Sequence, residues 1–243
     1  MTARRTFATA ARVLRQIRHD RRTMAMLVVV PVVIMTIMRW ILPAHGFATF
    51  GPPLLGIFPL LIMFLITSVT TLRERSSGTL ERLLAMPVAK ADIVGGYALA
   101  FGLLGAVQAI VVAGFSFWVL GLSAAGPGWQ LGLLAVVQAL LGTALGLFVS
   151  AFAATEFQAV QFMPAVLIPQ LLLCGLIVPV AALPTLARWI ADVLPLTYAM
   201  NAVREVMLHS TPTSSFWGNL AIVGLFVLGL LVAGAATLRR RTA

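Results

Sequence analysis

The sequence predicts an all-α integral membrane protein of six transmembrane helices, and three observations carry that prediction. Sixty per cent of the 243 residues are hydrophobic and only 10% are charged, against about 25% charged in soluble domains. The apolar runs are long: Trp40 to Leu72, Phe157 to Ala187 and Val206 to Leu238 hold no charge, and Ile93 to Thr155 is an uncharged run of 63 residues. The basic residues cluster at the flanks of these runs, which is how membrane topology is set.

A membrane helix needs about 20 apolar residues. The spans are predicted at 24–42, 53–72, 93–120, 130–154, 159–180 and 216–238. The 63-residue run folds back once, at Gly121-Leu-Ser-Ala-Ala-Gly-Pro-Gly128, a cluster of turn formers. Seven arginines (4, 5, 12, 15, 18, 21 and 22) precede the first span, four basic residues lie in 73–90, and Arg239–Arg241 follow the last span. The positive-inside rule makes these regions and both termini cytoplasmic. The formal charge of +10 therefore sits where it sets topology and meets anionic lipid, not nucleic acid. Residues 1–243 read as one membrane domain, in three parts besides the spans: a cytoplasmic interface helix within 1–23, a cytoplasmic loop at 73–90, and outer helices within 181–212.

Residues 5–19 read as an amphipathic helix. Phe7, Ala10, Ala11, Leu14 and Ile17 fall on one side and Arg5, Arg12 and Arg15 mostly opposite, so the helix is expected to rest in the interface, apolar face down. Arg18 falls near the apolar side, so it must snorkel or the helix ends there. In 73–90, Ser77-Gly78-Thr79 offers a breaker and N-caps, Leu80, Leu83 and Leu84 form a stripe, Glu81 sits in the first turn and Pro87 ends the element. This two-turn helix is too short to be stable alone and needs a surface.

Beyond the fifth span, Leu186–Leu194 and Thr197–Leu208 read as short outer or re-entrant helices separated by Pro195. Pro164 and Pro169 interrupt the fifth span, each removing a helix hydrogen bond. Gly142 and Gly146 form a GxxxG in the fourth, which permits close helix contact.

Catalytic patterns are missing from the sequence. There is no HExxH and no GxSxG, and the three histidines, His19, His45 and His209, are far apart. The single cysteine, Cys174, rules out an intrachain disulfide or a cysteine metal cluster. The only lysine, Lys90, lies between alanines, so the chain has no P-loop. Nor do the spans carry the buried acids of a proton-driven pump. No catalytic or metal-binding residue is assigned, and energy must come from elsewhere.

At this point "LRERSSGTLERLLAMPVAKADIVGGYALA", residues 72–100, resembles the loop after the second span of the ABC transporter type 2 permeases, with their R-E-x-x-x-G-T-hydrophobic-E-x-L…P-V pattern. "LCGLIVPVAALPTLARWIADVLPLTYAMNAVRE", residues 173–205, is similar to the same family's outer-helix region with its P-x-T-Y signature. The likeness spans essentially the whole chain and is nearest to daunorubicin-resistance-type drug exporters and nodulation-factor exporters. It implies a half-transporter of a bacterial cytoplasmic membrane: two permease subunits, as a homodimer, with two separate ATP-binding subunits that hold ATP and magnesium. This chain would itself bind no cofactor. The helix at 79–86 then resembles the family's coupling helix, seated on the ATPase. Glu74, Arg75, Gly78, Thr79, Leu80, Glu81, Arg82, Leu83, Leu84 and Pro87 are the expected coupling residues. Gln108, Thr143, Gln161 and Tyr198 are the polar candidates along a substrate pathway. Their apolar setting suits a hydrophobic or amphiphilic drug-like compound or lipid, carried outward.

Rival readings stay open here. A lipid-linked glycan exporter would want aromatics along a channel, whereas Trp40, Trp118, Trp129, Trp189 and Trp217 sit mainly near span ends, as interfacial anchors do. A membrane enzyme would want acids, His or Ser at one depth. A non-transport membrane subunit is the third class.

Overall fold

A computed structural model describes residues 3–79 and 89–237, the side chains of residues 21 and 22 excepted. These residues form nine α-helices and one 3-10 turn, and no strand. The helices are α1 (Ala3–His19), α2 (Arg21–Ile41), α3 (Ala44–Ser76), α4 (Lys90–Trp118), α5 (Gly128–Val149), α6 (Glu156–Leu173), α7 (Thr185–Asp192), α8 (Pro195–Leu208) and α9 (Ser214–Thr237). Six of them, α2 to α6 and α9, are long and apolar enough to cross a membrane. The sequence-predicted short helix at 79–86 lies, from Leu80 onward, outside the described residues. Leu80, Glu81, Arg82, Leu83, Leu84 and Pro87 are therefore not placed.

The bundle is organised around α3 and α5. The GxxxG of α5 faces α3: a Cβ at Gly142 would collide with the Leu60 carbonyl, and one at Gly146 would lie 2.6 Å from the Phe64 carbonyl oxygen. Gln138, one turn earlier, packs on Gly56. The small residues bring the two backbones together, which is what drives helix association where lipid is as apolar as the side chains. α4 closes on this pair through Gly105, against Ala139 and Met63. Thr67, Ser68, Leu60, Met63 and Phe64 are buried there.

Several predicted boundaries shift. The second span begins at Ala44, not near 53, and carries Pro52, Pro53 and Pro59 inside the helix; neighbouring helices in a membrane bundle let such breaks persist. The fourth ends at Val149. The fifth ends at Leu173, short of the predicted 180, because Gly175 takes φ +86°, a left-handed turn that stops an α-helix. Pro195 does not merely separate the outer helices: it occupies the first turn of α8, where its missing N–H costs nothing.

The N-terminal helix also differs. Phe7 and Ala11 of the predicted apolar side are exposed, and the buried stripe is Thr6, Ala10, Val13 and Ile17. Ala10, Val13 and Ile17 of that stripe pack with Ile93, Val94 and Tyr97 of α4 in one apolar cluster. A Cβ at Gly96 would stand 2.5 Å from Thr9 Cβ. Packing on the protein's own α4, rather than on lipid alone, rotated the buried face.

Candidate coupling clamp and membrane groove

Three elements meet where α3 ends. α3 stops because Gly78 adopts φ +70° with open space around it, and the N–H groups of Ser77 and Gly78 return to the Arg73 and Arg75 carbonyls. This is a glycine-terminated helix end. One turn before it, Glu74 is buried at 3% exposure. Arg12 of α1 grips it bidentately, Nη1 to Oε1 and Nη2 to Oε2, both at 3.0 Å. The Tyr97 hydroxyl of α4 donates to Glu74 Oε2, and Arg12 Nη2 also reaches the Tyr97 oxygen at 3.3 Å. Burial lowers the Arg12 pKa, but the Glu74 hydrogen bond and charge outweigh it, and the guanidinium is held above its usual range. Nearby, the Thr6 hydroxyl donates to the buried Asp92 carboxylate. Three chain segments, distant in sequence, are thereby pinned by one charged cluster.

A second, exposed pair lies alongside. Arg73 of α3 binds Glu156 of α6 bidentately, at 2.7 and 2.8 Å. The start of α6 is fixed by a reciprocal cap: the Thr155 hydroxyl accepts the Gln158 N–H, and the Gln158 side chain accepts the Ala154 N–H. This is close to a capping box, and Glu156 in the first turn complements the helix dipole.

Between α2, α3 and α6 runs a groove of about 570 Å³. Its walls are apolar, with Met26, Val30, Ile66 and Val160 among them, and its polar groups gather at the α1 end: Gln16, Asp20, Thr23, Arg73 and Glu156. An apolar trough with polar groups at one end fits a molecule of the same polarity.

The predicted site residues fall in different places. Glu74 points inward, so its carboxylate is used within the chain and not on an outside surface. Arg75 Nη1 donates to the Ser150 carbonyl at 3.2 Å, and Ser77 and Thr79 hydroxyls lie 3.0 Å apart. The four pathway candidates do not share a surface. Gln108 and Thr143 are fully buried, and Thr143 donates to the Ala139 carbonyl of its own helix. Gln161 is exposed on α6. Tyr198 donates to the Asp192 carbonyl and its ring faces Phe226. Arg12, Tyr97 and the polar end of the groove escaped the sequence reading.

Six apolar helices crossing a membrane, with a basic N-terminal helix clamped to the ends of two of them, define a multi-pass membrane protein. The family model for the ABC-2 type transporter matches residues 4–208, and the chain belongs to that family. It is 34% identical over 143 residues to "ABC transporter G family member 20" of Dictyostelium discoideum, a stretch that is 59% of this chain and 20% of that protein. It is 26% identical over 170 residues to "Linearmycin resistance permease protein LnrN" of Bacillus subtilis strain 168, covering 70% of this chain and 44% of that one. With "Probable multidrug ABC transporter permease YbhR" of Escherichia coli K12 it shares 24% over 169 residues, 70% of this chain and 46% of the other. The matched stretch is thus less than half the length of each of these relatives.

Proposed function

We propose that this chain is the membrane-spanning permease subunit of an ATP-driven exporter. It pairs with a second copy of itself and with two ATP-binding subunits, which hold ATP and magnesium. Both termini and the 73–90 loop face the cytoplasm of a bacterial cell. The observation that carries this reading is the Arg12–Glu74–Tyr97 cluster. It ties the segment bearing the R-E-x-x-x-G-T pattern to α1 and α4, so a push on that segment moves three elements together. A cytoplasmic ATPase seated on residues 79–86 supplies the push, and the differential binding of ATP to two states shifts the population between them. The cargo is a hydrophobic or amphiphilic compound. The groove supports this, since it matches an apolar body with a polar head towards the cytoplasmic end, and of the relatives one is named a linearmycin resistance permease and another a probable multidrug permease.

Co-purification tests it: the chain is expressed with a candidate ATP-binding subunit, extracted in mild detergent, and assayed for complex mass and ATP hydrolysis. Two of each chain, with turnover stimulated by amphiphiles and lost in Glu81→Ala and Leu83→Ala, is the expected result. A chain that stays alone, or turnover indifferent to these changes, ends the proposal.

A further inference from the structure

The end of the bundle opposite α1 is gathered by α8. The N–H of Gly126, in the connection between α4 and α5, donates to the Val206 carbonyl at 2.8 Å. A Cβ at Gly126 would stand 2.8 and 2.9 Å from the His209 and Val206 carbonyl oxygens. The Glu205 carboxylate accepts the Thr213 hydroxyl at 2.6 Å, and that hydroxyl oxygen accepts the Phe216 N–H at the start of α9. The third tie crosses the break in the fifth span. After α6 stops, the left-handed turn at Gly175 presents its carbonyl to α8, and the half-buried Arg204 guanidinium donates to it. A Cβ at Gly175 would lie 2.9 Å from Arg204 Nη2 and 3.1 Å from Val180 Cγ2, so both the turn and the approach require glycine. A cation suits this place, because carbonyls at a helix C-terminus are unsatisfied and carry the negative end of the dipole.

The three ties are not alike. Those to Gly126 and Thr213 hold connections whose neighbouring helices, α5 and α9, pack on each other. The Arg204 tie instead holds the end of α6, which packs mainly on α3. Beside it a cavity of about 140 Å³ separates the start of α3, at Thr49 and Phe50, from Arg204 and Met207. The guanidinium therefore has room to leave, and it is the side-chain tie at this end of α6, the Arg73–Glu156 pair lying at the other.

We propose that the Arg204–Gly175 bond is a releasable latch at the far end of the bundle. Closed, it draws the end of α6 onto α8 and buries Cys174; open, it frees the end of α6 and exposes the interior behind it. Its place in an ATP-driven cycle rests on the exporter reading, but the latch itself does not.

Cys174 is the chain's one cysteine, fully buried next to the latch, and so a native reporter. The full chain, purified in detergent where membrane sidedness is irrelevant, is treated with a water-soluble maleimide and the rate of Cys174 labelling is followed alongside the melting temperature. Arg204→Met is expected to label at least about tenfold faster than the unaltered chain, a ratio equivalent to about 1.4 kcal/mol, with an unchanged melting temperature; Arg204→Lys restores part of the protection. Arg188→Met, whose guanidinium bonds the Ala181 and Leu183 carbonyls nearby, keeps the original rate. Equal rates for Arg204→Met and the unaltered chain would overturn the latch. Should Arg204→Met fail to fold, Gly175→Ala decides in its place, and slow labelling there overturns the proposal equally. The assay is then repeated on the complex with its ATP-binding subunit. Fast labelling in the latch variants with no ATP dependence in the unaltered complex leaves the latch standing and removes its link to transport.

Discussion

The α3–α5 pair and the α2 and α9 helices are about equally apolar, yet they are held in opposite ways. About 61% and 67% of the apolar stretches of α3 and α5 are buried, against 17% in each of α2 and α9. Hydrophobicity does not separate them, because lipid tails satisfy leucine as well as another helix does. Residue size on the facing side does. Gly142 and Gly146 let two backbones touch, whereas α2 contains no glycine and turns Met26, Val29, Val33 and Ile37 outward. α9 has glycines too, but Gly218, Gly224 and Gly229 face open space. The same residue type means close packing in α5 and nothing comparable in α9. The consequence is a rigid centre with loosely held flanks, and α6, equally exposed, belongs with the flanks. A transporter needs that division: a fixed frame and elements that move against it.

The sharpest way to break this comparison is one substitution made twice. Gly142→Leu drives a side chain into the Leu60 backbone, and we expect a loss of more than about 4 kcal/mol, so that no folded protein is recovered. Gly224→Leu should give normal yield and melting temperature in detergent. Similar behaviour of the two variants would erase the distinction between frame and flank.

A smaller effect is expected at the clamp. Glu74→Gln keeps the shape but leaves Arg12 facing a neutral amide. Breaking a buried pair costs about 3–5 kcal/mol, and the 31% exposure of the Arg12 side chain puts this one at or below the low end, about 2–3 kcal/mol. The double variant Arg12→Met with Glu74→Met should cost less than the sum of the singles, since both charges leave together. Additive losses in the melting curves would show that the two side chains do not work as a unit.

The least effect belongs to the exposed pair. Arg73→Gln or Glu156→Gln should change stability by under about 1 kcal/mol, and the difference should shrink further at high salt. A large, salt-insensitive loss would move α6 from the flanks into the frame.

Much of this was legible in the residues. Run lengths placed six spans, because a helix is the form in which a single segment satisfies its own backbone in lipid. Gly142 and Gly146 announced a contact, though not with which helix. Legibility failed wherever a partner distant in sequence decided the outcome. Glu74 reads as a coupling residue facing an ATPase until Arg12, 62 positions earlier, and Tyr97 close around it. Phe7 reads as buried until Gly96 draws Thr9 and the opposite edge of α1 onto α4. The fifth span reads as continuous to 180 because nothing in its apolarity reports the left-handed Gly175.

By itself, then, the sequence determined the solvent of this protein, the number of its spans and the family of its 72–100 and 173–205 segments. These depend on local composition and on motifs read in order along the chain. Which helices form the frame, which charge is an internal clamp and which arginine closes the broken span were decided only by tertiary structure. Each depends on the meeting of groups whose separation along the chain carries no information about their separation in space.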